Sequence, residues 1–248
     1  MPGEIQTADL NYDGYNDLAV CILPSEASSG FGIYLYRPLT NTYAEELFLM
    51  DYRVDDFISV AIRQLNRDMP DVNFAGITKN GAVVTVYASD FRVDQEDYDF
   101  ESNMFEYPSV LIMGHFNWDR WTDFAVISPS SDTLQILMFD GIRTFTRQIY
   151  LTDSYPTSLA RIHFNDDNID DLIVLHCNRT LSIFVGSNMS LFHHVYSIYM
   201  PFDSNEPNNE CARSVIVADF NHDGKEDVAY IDSAMEKIRV LLSDDCQQ

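Results

Sequence analysis

The chain has 248 residues, 46% of them hydrophobic, with 39 Asp and Glu against 15 Lys and Arg and a formal net charge of −24. That hydrophobic share supports a sizeable core and excludes wholesale disorder, while so acidic a surface repels nucleic-acid phosphates and anionic membranes. No stretch approaches the ~20 uninterrupted apolar residues of a membrane helix, so neither nucleic-acid binding nor membrane insertion is expected.

The opening residues MPGEIQTADL lack the basic start and apolar run of a secretory signal. The chain is therefore expected to be either cytosolic or a piece of something longer. Four cysteines with no CxxC pair exclude a disulfide framework and a zinc ribbon. Cys21 and Cys177 lie in the apolar runs LAVCIL and LIVLHC and read as buried small hydrophobes. Cys211 and Cys246 bracket the last repeat and could bridge in an oxidising compartment, a pairing that spacing leaves open.

Taken in chain order, the sequence repeats itself five times. The first unit starts near residue 1 and carries the loop DLNYDGYNDLAV from Asp9, then GIYLYR and TYAEELFLM. The second, from near residue 57, runs SVAIRQLN into QLNRDMPDVNFAG from Gln64, then AVVTVYA. The third, from near 108, has SVLIMGHFN, HFNWDRWTDFAV from His115, LQILMF and FTRQIYL. The fourth, from near 157, has SLARIHFN, HFNDDNIDDLIV from His163 and LSIFV; the fifth, from near 212, has SVIVADFN, DFNHDGKEDVAY from Asp219 and KIRVLL. Loop starts are separated by 55, 51, 48 and 56 residues. Asn holds the third loop position and Asp the fifth in all five; Asp holds the ninth in four, with Val72 there in the second.

The runs between loops are short, β-branched and aromatic, and are bounded by Gly, Asn, Asp, Ser and Pro. No window of helical period with caps stands out. The fold class is therefore all-β: each unit reads as four antiparallel strands, with the Asp-rich loop joining the first to the second. A unit of this size cannot bury both faces alone, and radial stacking gives a β-propeller with short protected edges. The continuous apolar runs LAVCIL, FAVI and LIVL fit strands covered on both faces. A sandwich of short strands leaves the regular period unexplained. The fifth unit lacks an outer strand, so either five four-stranded repeats close as a ring or they form an arc of a larger one.

The loop resembles the signature DxNxDGxxDLxV of the FG-GAP/VCBS repeat family, best in the first copy (Asp9, Asn11, Asp13, Gly14, Asp17) and the last (Asp219, Asn221, Asp223, Gly224, Asp227). The resemblance spans essentially the whole chain. It implies a single propeller domain over residues 1–248, related to the integrin α-subunit head and commonly seven-bladed. It also implies calcium in the loops and a role in adhesion, ligand binding or as an accessory module.

Calcium takes six to eight oxygen ligands. Side-chain oxygens at loop positions one, three, five and nine can converge if the chain curls, and Gly at position six permits the turn. The carbonyls of Tyr15 and Lys225 at position seven would add an oxygen. The expected ligands are thus Asp9, Asn11, Asp13, Tyr15 and Asp17 in the first loop, and Asp219, Asn221, Asp223, Lys225 and Asp227 in the last. An EF-hand would need Glu at position twelve and flanking helices, but Val20 and Tyr230 stand there between strand-like runs. Asx-rich turns without metal are the bland alternative. Loops three and four lead with His115 and His163, poor ligands for a hard cation, and keep Asn117, Asp119, Asp123 and Asn165, Asp167, Asp171. Loop two, with Asn66, Asp68 and Met69-Pro70, is expected to be a turn only.

No nucleophile elbow, phosphate loop, HExxH or spaced Cys/His set occurs. His193-His194 reads as an exposed strand-end pair, and residues 90–106 as a solvated outer strand and turn. The sequons at Asn178 and Asn188, with calcium loops, point to an extracellular home. The expectation is a non-enzymatic, calcium-stabilised scaffold for a protein or glycan ligand. The alternatives are a propeller enzyme or accessory domain acting on polysaccharides, of lyase or glycoside hydrolase type, and a lectin.

Overall fold

In the computed structural model the described residues are 2–11, 13–22, 30–49, 57–62, 74–86, 98–101, 105–119, 121–141, 145–165, 167–188, 191–199 and 211–243. They hold strands and one short 3-10 turn, Pro129–Ser131, with no α-helix among them. Sheet 1 contains β1 (Pro2–Ala8), β2 (Asp17–Ile22), β3 (Gly30–Arg37) and β4 (Thr42–Leu49). Sheet 2 contains β5 (Phe57–Ile62), β6 (Phe74–Thr78), β7 (Val83–Val86) and β8 (Tyr98–Glu101). Sheet 3 contains β9 (Val110–Gly114), β10 (Asp123–Ser128), β11 (Thr133–Phe139) and β12 (Phe145–Leu151). Sheet 4 contains β13 (Pro156–Ile162), β14 (Asp171–His176), β15 (Thr180–Val185) and β16 (His193–Tyr199). Sheet 5 contains β17 (Arg213–Ala218), β18 (Asp227–Asp232) and β19 (Lys237–Leu241). Every sheet is an antiparallel meander in which chain neighbours pair, for example Ala125 with both Ile112 and Ile136.

The first strands β1, β5, β9, β13 and β17 pack in that order, each beside the next. This is the radial arrangement of a β-propeller. The cores lie between sheets. Ala61, Ala75, Ile77 and Val83 of sheet 2 meet Leu111, Met113, Phe124, Val126 and Leu137 of sheet 3. Ala125, Ile127, Leu134 and Ile136 of sheet 3 meet Leu159, Leu172, Val174 and Phe184 of sheet 4. Ile173, Leu175, Leu181 and Ile183 of sheet 4 meet Val215, Val228 and Tyr230 of sheet 5. Second strands are thus covered on both faces: β10 and β14 are buried along their whole length, which is why they read as continuous apolar runs. The outer strand β12 alternates between half-buried and exposed residues.

The upstream serine has a place in this scheme. Ser59 Oγ accepts the Leu111 N–H at 3.0 Å, and Ser158 Oγ accepts the Val215 N–H at 3.0 Å. Both hydroxyls stitch a first strand to the next sheet. Buried Arg179, in the β14–β15 turn, reaches buried Asp232 of sheet 5 at 3.3 Å.

The cysteine expectation is corrected. Cys177 is disulfide-bonded to Cys211, 34 residues on, so Cys177 is not a free buried hydrophobe and Cys211 does not pair with Cys246. The turn after β14 lies against the lead-in to β17, with Ala212 N–H on Cys177 O at 3.5 Å. This inter-sheet approach has no signature in the spacing. Cys246, the Cys21 side chain and loop two (residues 64–73) lie outside the described residues.

Candidate functional site

Each loop joins the first strand of its sheet to the second, at one end of the strands. In loop one Asp9 Oδ1 accepts the Asp13 N–H at 3.2 Å and its Oδ2 the Gly14 N–H at 3.0 Å. Asn11 Oδ1 shares the Asp13 N–H at 2.9 Å, and Asp13 Oδ1 accepts from Tyr15 N–H at 3.0 Å. Loop five repeats this bond for bond: Asp219 takes Asp223 and Gly224 N–H at 3.1 and 2.9 Å, Asn221 takes Asp223 N–H at 2.9 Å, and Asp223 takes Lys225 N–H at 2.8 Å. Gly14 and Gly224 have φ of +87° and +86°, a turn that L side chains resist. The oxygens of positions one, three and five therefore gather around one short curl of chain, and they already solvate its N–H groups.

Position nine behaves differently. Asp17 is fully buried, with Oδ2 on Leu10 N–H (2.9 Å) and Oδ1 on Tyr36 N–H (2.8 Å). Asp123 takes Phe116 and Phe139 N–H at 3.0 and 2.9 Å; Asp171 takes Phe164 and Gly186 N–H, both at 2.9 Å. Asp227 takes Phe220 and Ser243 N–H at 3.0 and 2.8 Å. Four times, one carboxylate ties the loop to the end of the third strand. Sequence reading assigned these residues only to metal. The signal for the second role was available: the spacing is kept in loops that have lost their first Asp and their Gly.

Burial pushes the Asp17 and Asp171 carboxyls above the ordinary aspartate value, and their N–H bonds hold the rise back. Asp227 moves the other way, held below that value first by the Ser243 backbone bond. Its side chain is as inaccessible as the others, but the bonds from Ser243 and Phe220 together outweigh desolvation there.

Loops three and four keep only part of the curl. Asn117 takes Asp119 N–H at 2.8 Å and Asp119 takes Trp121 N–H at 2.7 Å. Asn165 takes Asp167 N–H at 3.0 Å and Asp167 takes Ile169 N–H at 2.9 Å. Asn168, at φ +59°, stands in for the glycine. The histidines at position one give their backbone N–H groups to the neighbouring sheet, while the His115 ring stays in its own loop, with Nδ1 2.9 Å from Trp121 O. His115 N–H donates to Asp170 Oδ2 at 2.7 Å, and His163 N–H to Glu226 Oε2 at 2.6 Å. The His163 ring lies between Asp170 (3.2 Å) and Glu226 (3.3 Å). Position eight of one loop thus holds position one of the loop before it.

For calcium the donor chemistry fits loops one and five, which offer two carboxylates and an amide oxygen on one turn. Those oxygens are bonded to backbone N–H groups, and no group of three or more His, Cys, Asp or Glu set to hold a metal occurs among the described residues. His193 opens β16 and is exposed.

No protein-family model matches the chain, and neither does any curated protein. Among solved structures it is similar to BBS1N, crystallised in complex with ARL6DN and soaked with lead: TM-score 0.55, 12% identity, covering 95% of this chain and 77% of that one. A protein from Lactobacillus plantarum is matched at TM-score 0.49 and 7% identity, over 97% of this chain and 66% of that one. At such identities the first likeness speaks to fold alone and the second carries no argument. The strand order and that likeness together make this chain a β-propeller protein.

Proposed function

We propose that this chain is a non-enzymatic, calcium-stabilised scaffold of five FG-GAP/VCBS-type repeats that presents its loops to a protein or glycan ligand outside the cell. The observation that carries the calcium part is the identical curl of loops one and five. There, Asp9, Asn11 and Asp13, and Asp219, Asn221 and Asp223, gather oxygens on a turn closed by a positive-φ glycine. A divalent cation would recruit these oxygens and the Tyr15 and Lys225 carbonyls, and offset the repulsion of two neighbouring carboxylates. Asp17 and Asp227 would brace the loop from behind. The Cys177–Cys211 bridge supports an oxidising compartment.

Thermal melting of the full chain tests the reading. Calcium at about 100 times its Kd should add about 2.7 kcal/mol for each loop that it fills, seen as a higher Tm that a chelator reverses. The Asp9→Asn, Asp219→Asn double variant should lose that shift. A Tm indifferent to calcium overturns the calcium part, and turnover of a polysaccharide by the purified chain overturns the non-enzymatic part.

A further inference from the structure

The interfaces of sheet 4 with sheet 3 and with sheet 5 follow one rule. The residues two and four after the loop's ninth-position Asp, with their β-ladder partners, face the next sheet; those one and three after it face the previous sheet. In sheet 3 Ala125 and Ile127, with Ile136 and Leu134, pack on sheet 4; Leu172 and Val174 receive them. In sheet 4 Ile173 and Leu175, with Ile183 and Leu181, pack on sheet 5; Val228 and Tyr230 receive them. At the two ends of the array the rule leaves a face over. Ile231, Ile238 and Val240 of sheet 5 are 42, 73 and 47% exposed, although Ile127, Leu134, Ile136, Leu175, Leu181 and Ile183 at the same ladder positions are at most 4% exposed. Ile216 beside them on β17 is exposed too.

Sheet 1 shows the complementary face. Ile5 lies six residues before its loop asparagine, where the other units have Val60, Leu111, Leu159 and Val215. Those four are at most 5% exposed; Ile5 is 53% exposed and pairs with half-buried Val20. Two of the internal interfaces, sheet 2 to sheet 3 and sheet 4 to sheet 5, also carry a polar stitch. Ser59 and Ser158 accept the N–H of Leu111 and Val215 in the next sheet. Ser214 is the equivalent serine of sheet 5 and is exposed. The N–H in the equivalent place on sheet 1 is that of Ile5. Among the described strands β17 and β1 are not packed as successive first strands are.

We infer that sheet 5 of one copy receives sheet 1 of a second copy, continuing the inter-sheet packing between chains, with Ser214 Oγ taking the Ile5 N–H. The two exposed faces are the two halves of the interface that sheets 4 and 5 already build within this chain, apolar ladder and serine stitch included. An apolar patch of this kind on a soluble protein marks a contact. The contact is heterologous, sheet 5 to sheet 1, so it adds copies head to tail until a ring closes or a filament grows.

The test uses the full chain and two variants, Ile5→Glu and Ile238→Glu, both at exposed positions. Sedimentation at ~100 µM, which saturates a micromolar contact, should give a wild-type mass of two copies or more that falls on dilution. Each variant alone should run at the mass of one copy with an unchanged Tm at low concentration. A mixture of the two should stop at two copies, because each variant keeps the face the other has lost. A wild type that stays at one copy at ~100 µM overturns the inference. If either variant then also lowers the Tm of the single copy, sheets 1 and 5 meet within one chain; if neither does, the faces are not covered by a second copy. A wild-type assembly that both variants leave intact, or a mixture that stays at one copy, overturns it as well.

Discussion

Loops one and five and loops three and four fill equivalent places in their sheets, yet they solve the same problem differently. In the first pair Asp at position one turns inward and solvates the curl at Asp13 and Gly14, or Asp223 and Gly224. In the second pair His115 and His163 donate their backbone N–H groups outward to Asp170 and Glu226. Both pairs keep the ninth-position Asp with its two backbone bonds. The difference separates two functions that one motif carries: a brace that four of the sheets share, and an oxygen-lined curl seen in two loops.

The comparison can be broken at the brace first. Asp171→Ala leaves the Phe164 and Gly186 N–H groups without their acceptor inside a packed sheet. It should cost about 2–4 kcal/mol in urea unfolding, and Asp123→Ala a similar amount. If either costs no more than a surface substitution, the brace is not structural. The Cys177–Cys211 bridge comes next, since it ties sheet 4 to the end sheet. Cys211→Ser or reduction should cost about 2–4 kcal/mol, with hydrogen exchange rising in β17 to β19 and little changed in β9 to β12.

Smaller effects sharpen the contrast between curls. Gly224→Ala places a Cβ in open space, where nothing lies within 4 Å, but at φ +86°. Backbone strain alone should cost about 1–2 kcal/mol. Asn168→Gly in loop four should change stability by only a few tenths, because Asn already tolerates φ +59° there. His163→Ala removes a partly exposed ring from between two carboxylates and should cost about 0.5–1 kcal/mol, with no effect on calcium response.

The smallest expected effect is in pH dependence, where the braces should differ in sign. Asp227 is held below the ordinary value of 3.8. Its contribution is present above that value and is lost as pH falls through its lowered folded value. Asp171 is held above 3.8. Its contribution is fully present below that value and is lost as pH rises through its raised folded value, leaving a buried charge. Stability differences from the wild type, measured for Asp227→Asn and Asp171→Asn from neutral pH to ~pH 3, should therefore drift in opposite directions. Parallel drifts would show that the two carboxylates share one environment.

Much of the scaffold was legible because repetition fixes it. Strand runs such as FAVI and LIVL, bounded by Asx loops at regular intervals, can only be short strands buried on both sides, and β10 and β14 are buried throughout. The loop positions also aligned from residues alone. The role of position nine was not legible, because a carboxylate beside an ion and a carboxylate beside two N–H groups have the same spacing. The partners of Asp17, at Leu10 and Tyr36, lie on both sides of it, and one comes from the third strand. The leading histidines read as damaged ligands, while the carboxylates that take their N–H groups, Asp170 for His115 and Glu226 for His163, belong to the next unit around the array.

By itself, then, the sequence determined the strand units, their order and the six-residue curl, all of which depend on contacts within a few tens of residues. The tertiary structure alone decided what lies between units. It paired Cys177 with Cys211, set Arg179 on Asp232, gave Ser59 and Ser158 their acceptor roles and left Ile5 and Ile238 uncovered. Side chains that meet across neighbouring sheets are placed by the angle and offset of sheet packing, and no spacing along the chain records those.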